Sequence, residues 1–161
     1  MSKIIGITGL KDVGKTYYAS LIIKLLVKSG YKIGSIKHAH HDFDIDKPGT
    51  DSFKHREAGS NQVIISSSKR WAKIIENNDK NEKNLEELIK EFQDVDIIVV
   101  EGFKKENHPK IEILGKGLKN KSKEANNVIA FVSDELKDTS IPVFNKNDTK
   151  NLIDFIIKKI L

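Results

Sequence analysis

Apolar positions along the chain fall into short solid runs that alternate with helical stripes. KIIGIT (residues 3–8) is a short apolar run that reads as a buried strand. In KTYYASLIIKLLVKSG, the residues Ala19, Ile22, Ile23, Leu26 and Val27 fall on one helical stripe, and Gly30 supplies a stop. YKIGSIKH reads as a second strand. PGTDSFKHREAG then reads as a helix capped by Thr50 or Asp51 and stopped by Gly59. QVIISSSKRWAKII has two β-rich runs around a serine turn, the pattern of a hairpin. A polar linker, ENNDKNEKN, precedes the short amphipathic helix LEELIKEF. DVDIIVVEGF holds a continuous apolar run at 97–100, which suits a strand buried on both faces of a parallel sheet. PKIEIL, VIAFV and IPVF read as further strands, with a basic loop, GKGLKNKSKEANN, after the first of them. NLIDFIIKKIL closes as a helix. Strands alternating with helices predict an α/β protein: a P-loop NTPase-like three-layer fold with a mostly parallel sheet and some antiparallel hairpin strands. With 161 residues and no visible repeat, a single nucleotide-binding domain over 1–161 is expected.

One motif turns this pattern into chemistry. GLKDVGKT (residues 9–16) has the spacing G-x-x-x-x-G-K-[ST] and lies between a strand and a helix, as a phosphate-binding loop requires. Gly9 and Gly14 let backbone N–H groups of Lys11, Asp12, Val13 and Tyr17 wrap a phosphate. Lys15 adds a full positive charge beside the helix N-terminus. Thr16 offers a hydroxyl to magnesium. Such a site also needs an acid at the C-terminal end of a neighbouring strand, and Glu101 follows four apolar residues in that place. Asp96 stands at the opposite end of the same run. Near the C-terminus, NKND (residues 145–148) follows a strand and resembles the guanine-reading motif of GTPases. There Asp148 would accept the N–H groups of guanine, which adenine does not offer. Asp148 is equally placed to cap the final helix.

The polar segment KHAHHDFDID (residues 37–46) allows three readings. His38, His40 and His41 would bind a transition metal, although their spacing matches no known zinc pattern. Alternatively, Asp44 or Asp46 orients water or magnesium while Lys37, His38 and Arg56 meet anionic oxygens. The third is a structural loop in which Phe43 and Ile45 pack inward and the aspartates share the wet face. His55 and His108 have no comparable setting and are expected at the surface.

Composition narrows the choices. The chain has no cysteine, which excludes disulfides, iron–sulfur clusters and thiolate zinc sites. The net charge of +5 is mostly lysine spread along the chain, the pattern of a solvated surface rather than a nucleic-acid groove. Its only arginines are Arg56 and Arg70. No signal-peptide pattern or membrane-spanning run is present, and a cytoplasmic location is expected.

The segments GLKDVGKT, KHAHHDFDIDKPGTDSFKHREAG, DIIVVEGFKKENHPKIEI and IPVFNKND, in this order, make the chain resemble the MobB family of molybdopterin-guanine dinucleotide biosynthesis proteins. The second segment is the specific one, since a P-loop occurs in many unrelated enzymes. Val13 stands where the family often has serine, and Tyr17 where a second threonine is usual. The family's C-terminal segment, loosely F-D/N-x-D/N-D, makes Asp148 the constant element rather than Asn145. The resemblance implies a homodimer that binds GTP and hydrolyses it slowly, and the loop read above adds magnesium. The resemblance also implies an adaptor that works beside the guanylyltransferase attaching GMP to molybdopterin. Taken with the readings of the residues above, the expected site comprises Lys15, Asp44 and Asp46 in catalysis, and Thr16 and Glu101 at the metal. Gly9, Lys11, Asp12, Val13, Gly14, Lys15, Thr16, Tyr17, Arg56 and Asp148 would lie against the nucleotide. For the dimer, the hairpin near Arg70 and the strand at 110–114 are candidates to pair across subunits. A small-molecule P-loop kinase and a histidine-cluster metal chaperone are the alternatives.

Overall fold

The structure, a computed structural model, describes residues 2–39, 43–77, 82–117, 125–137 and 139–161. Their contacts divide into two compact units, Met1–His38 with Leu85–Leu161, and Ala39–Asn84.

The first unit is built on a six-stranded sheet in the order β2-β5-β1-β6-β7-β8. Its strands are β1 (Lys3–Gly9), β2 (Ile33–Lys37), β5 (Ile97–Glu101), β6 (Lys110–Ile113), β7 (Val128–Val132) and β8 (Val143–Phe144). Every pairing is parallel. Helices α1 (Lys15–Lys28) and α4 (Thr149–Ile160) cover one face. The predicted stripe is the reason: Ala19, Ile22 and Leu26 of α1 meet Ile5, Ile7, Val99, Ile111 and Ile113 of the sheet. Leu152, Ile153 and Ile156 of α4 complete that core. Each such fully buried aliphatic side chain contributes about 1.5–3 kcal/mol. On the other face, Ile36, Ile98 and Val100 pack under Leu85, Leu88 and Phe92, in and beside α3 (Leu85–Ile89). The sheet is therefore sandwiched by helices, and β5 is buried on both faces as its unbroken apolar run predicted.

The second unit contains α2 (Asp51–Glu57) and the antiparallel pair β3 (Gln62–Ser66) and β4 (Trp71–Ile75). Thr50 is the N-cap of α2, and its hydroxyl accepts the backbone N–H of Phe53 at 3.4 Å.

Three expectations are corrected. Phe43 and Ile45 do not pack inward: they are 73% and 70% exposed, whereas the side chain of Asp46 is only 5% exposed. Of the two aspartates only Asp46 is covered, while Asp44 stays half-exposed beside Arg56. Strand β6 is not available to pair across subunits, because it lies between β1 and β7. His108 is not at the surface. It is buried against Gly6, where an added Cβ would come within 2.5 Å of the imidazole Nε2. Burial first, and the Lys110 charge second, push its pKa down to about 4, so the ring is neutral at ordinary pH. Lys110 is itself buried, with its ammonium enclosed by the carbonyls of Glu106, His108 and Asn126. Burial pushes its pKa down to about 8. These three carbonyls tie the segment after Glu101 to the strand beneath it.

Candidate nucleotide site

Parallel strands bring their C-terminal ends to one edge of the sheet, and the candidate residues collect there. β1 ends at Gly9, whose φ of +146° is closed to residues with a Cβ. A Cβ at that position would overlap the Ile113 carbonyl oxygen and lie 2.9 Å from Val13 Cγ2. The chain then turns through Asp12, at φ +61°, and Gly14, at φ +94° and the N-cap of α1. A non-glycine residue held in the left-handed region is strained, and such strain concentrates at functional loops. The ammonium of Lys15 folds back on this loop and donates to the carbonyl of Leu10 at 2.6 Å.

Thr16, in the first turn of α1, donates its hydroxyl to Glu101 Oε1 at 2.8 Å. The register places Ile7 of β1 opposite Glu101 of β5, so the acid stands beside the start of the loop. Asp96, at the far end of β5, accepts the backbone N–H of Lys32 at 2.7 Å and serves the opposite edge. Lys37 pairs in register with Glu101 across β2 and β5. Its ammonium lies 3.4 Å from Thr16 Oγ1 and 3.5 Å from Glu101 Oε1. His38 follows, stacked on Phe103 with ring centroids 4.5 Å apart. Its Cβ packs on Gly102, where a side chain would be 2.6 Å away.

Residues 145–148 also belong to this unit. Tyr18 of α1 donates its hydroxyl to the Lys146 carbonyl at 3.2 Å, which seats this loop beside the helix that follows the phosphate loop. Asp148 occupies the N-cap position of α4, yet its side chain caps no backbone N–H. Its Oδ2 instead accepts from Asn151 Nδ2 at 3.1 Å.

Asp44, Asp46 and Arg56 come together in the second unit. Arg56 Nη1 donates to Asp44 Oδ1 at 2.9 Å and lies 3.5 Å from Asp46 Oδ2. Arg56 Nε donates to Glu76 Oε1 at 2.7 Å. Asp46 Oδ1 accepts hydroxyls from Thr50 at 3.2 Å and Ser52 at 2.8 Å. The Asp46 backbone N–H first, and Arg56 second, hold the Asp44 carboxyl below the usual range. His40 and His41 lie outside the described residues. Among the described residues, no group of three or more His, Cys, Asp or Glu is placed to hold a metal ion.

Sequence reasoning found the loop, Thr16 and Glu101. It did not place Lys37 between them, nor Tyr18 against residue 146. Both depend on strand order and helix placement rather than on local pattern.

A parallel sheet with a glycine-rich loop between β1 and α1, and an acid at the end of the neighbouring strand, defines a P-loop α/β protein. The chain belongs to the molybdopterin guanine dinucleotide synthesis protein B (MobB) family, whose model matches residues 4–134. The molybdopterin-guanine dinucleotide biosynthesis adapter protein of Escherichia coli K12 is 35% identical over 163 residues, covering 98% of this chain and 93% of that protein. The adapter protein of Haemophilus influenzae is 39% identical over 110 residues, covering 67% of this chain and 61% of that protein. The crystal structure of Bacillus subtilis MobB superposes with a TM-score of 0.78 at 22% identity, covering 99% of this chain and 98% of that one. That likeness shows the fold.

Proposed function

We infer that this protein is an adapter of molybdopterin guanine dinucleotide biosynthesis whose P-loop binds GTP with magnesium. The contact between Thr16 and Glu101 carries the nucleotide part of this reading. It joins a hydroxyl and a carboxylate, the hard oxygen donors that magnesium prefers, at the mouth of the loop. A cation already rests there, the ammonium of Lys37, so the donor set fits a positive ion. Bound magnesium would neutralise phosphate charge. The chain's own residues do the rest. Backbone N–H groups from Lys11 to Tyr17 wrap the phosphates and Lys15 turns outward to meet them. Asp148 accepts from the guanine edge, since it is not consumed in capping α4.

In the same reading Asp44 or Asp46 orients water or metal for slow hydrolysis. Both carboxylates are held by Arg56, so this role requires Arg56 to exchange a carboxylate for a ligand oxygen. The partners are the guanylyltransferase and the molybdopterin-derived cofactor, and a cytoplasmic place follows from the supply of GTP. Among the described residues no helix is long and apolar enough to cross a membrane.

Guanine reading is tested at Asp148. Asp148→Asn replaces an acceptor by a group that can also donate. It is expected to weaken GTP at least about tenfold and to improve xanthosine triphosphate, whose 2-oxo group accepts such a donor. Competition against a fluorescent nucleotide measures both. Unchanged GTP affinity in the variant would remove Asp148 from the site.

The homodimer is also part of this reading. Ile64, Trp71 and Ile75 project from one face of the β3–β4 pair and are all exposed, an apolar surface that a second copy would cover. Trp71→Glu is expected to shift the chain to monomer in sedimentation velocity at micromolar concentration. A wild type that sediments as a monomer contradicts the dimer.

A further inference from the structure

We propose that Lys37 is a tethered stand-in for magnesium, holding the Thr16–Glu101 pair when metal is absent and allowing a nucleotide to bind without it. The inference rests on the nucleotide reading above and adds a residue to that site. Its backbone is fixed on both sides. Lys37 is in register with Glu101, and the next residue, His38, donates its N–H to the Glu101 carbonyl at 2.9 Å. The side chain is the free part: it is 62% exposed, whereas that of Glu101 is 12% exposed.

An exposed lysine that meets one carboxylate is an ordinary surface ion pair and contributes little. Lys37 differs in what it touches. Its ammonium contacts the hydroxyl and the carboxylate together, and these are the two groups of the first unit that the metal would use. Glu101 is mostly buried, so it favours a nearby cation in every state of the site. Without metal, Lys37 supplies one positive charge there. Thr16 and Glu101 would hold a divalent ion through the oxygens that Lys37 now contacts, and the ammonium would then have to leave them. The flexible four-carbon stem allows that exchange without moving the strand. Lysine is suited to it as a compact point charge, whereas the planar guanidinium of arginine is built for fixed bidentate pairs.

The consequence is a difference between two affinities. In the metal-free protein Lys37 is the cation nearest the bound phosphates' metal position. With magnesium present it is displaced and contributes little. Lys37→Met is therefore expected to weaken binding of a fluorescent GTP analogue about tenfold in EDTA. That loss is one charge-assisted contact, worth about a factor of ten; in excess magnesium the change is expected to stay within about threefold, since the displaced ammonium has no such contact to lose. Lys37→Gln should behave as Lys37→Met does. Lys37→Arg should retain most of the metal-free binding. Melting temperatures of all variants establish that each is folded, as expected for an exposed side chain.

Equal losses in the two conditions, or a larger loss with magnesium, would overturn the proposal. So would a wild type that binds well with magnesium and not at all without it. A wild type that binds under neither condition defeats the nucleotide reading itself, which is a separate outcome.

Discussion

Lys15→Ala is expected to lower the affinity for magnesium–GTP about a hundredfold, or about 2.7 kcal/mol, while leaving the fold intact. In the protein without ligand, Lys15 makes a bond to the Leu10 carbonyl within the same loop. That bond is exposed and its loss costs little stability. Toward a phosphate the same ammonium makes charge-assisted bonds, which are roughly twice as strong as neutral ones. The asymmetry separates a binding role from a structural one. Titration of nucleotide, together with thermal melting of both proteins, measures it. A variant that melts with the wild type and binds GTP as well would show that the loop holds no phosphate.

Gly9→Ala is expected to be the most damaging single methyl in the molecule, costing about 3 kcal/mol or more of stability. Two terms add. The backbone at Gly9 has φ +146°, a region that L-residues avoid, and the new Cβ would overlap the backbone oxygen of Ile113. The Ile113 oxygen has little room to yield, because Ile113 is the register partner of Gly9 at the end of the β1–β6 pairing and is paired with Val132 of β7 on its other side. Gly14 provides the comparison. Its φ is +94°, yet a Cβ there meets nothing within 4 Å. Gly14→Ala should therefore cost only the conformational strain, about 1–2 kcal/mol. Urea denaturation of both variants reads the difference. Equal costs would mean that the close approach at Gly9 yields, and that conformation alone decides.

The apolar run at 97–100 declared a strand buried on both faces, and β5 is that strand. Of the stripe Ala19, Ile22, Ile23, Leu26 and Val27, the structure buries Ala19, Ile22 and Leu26 as the inner side of α1, whereas Ile23 is half-buried and Val27 is exposed. Local periodicity suffices in both because each residue's burial follows from its own element. It fails where the deciding contact comes from a distant part of the chain. Phe43 and Ile45 alternate with acids and read as an inward face, but Arg56 and the hydroxyls of Thr50 and Ser52 capture the carboxylates instead. His108 sits in a polar stretch and reads as a surface residue. It is buried because Gly6, about a hundred residues earlier, leaves room for its ring on the neighbouring strand. Strand β6 looked free to pair with another chain because strand order is not written in any local pattern. In the site, loop and acid were legible because their spacing is the chemistry. Lys37 was legible only as a nearby charge; its place over Thr16 and Glu101 comes from the β2–β5 register.

Residues 9–16 and Asp148 together are proposed to hold a guanine nucleotide, the loop at its phosphates and the aspartate at its base. Calorimetric titration of the wild-type chain with GTP and with ATP, each with magnesium, tests it most directly. Saturable binding of GTP at least about tenfold tighter than that of ATP is expected, and it is lost in Lys15→Ala. Tighter binding of ATP, or equal binding of GTP by wild type and Lys15→Ala, would contradict it.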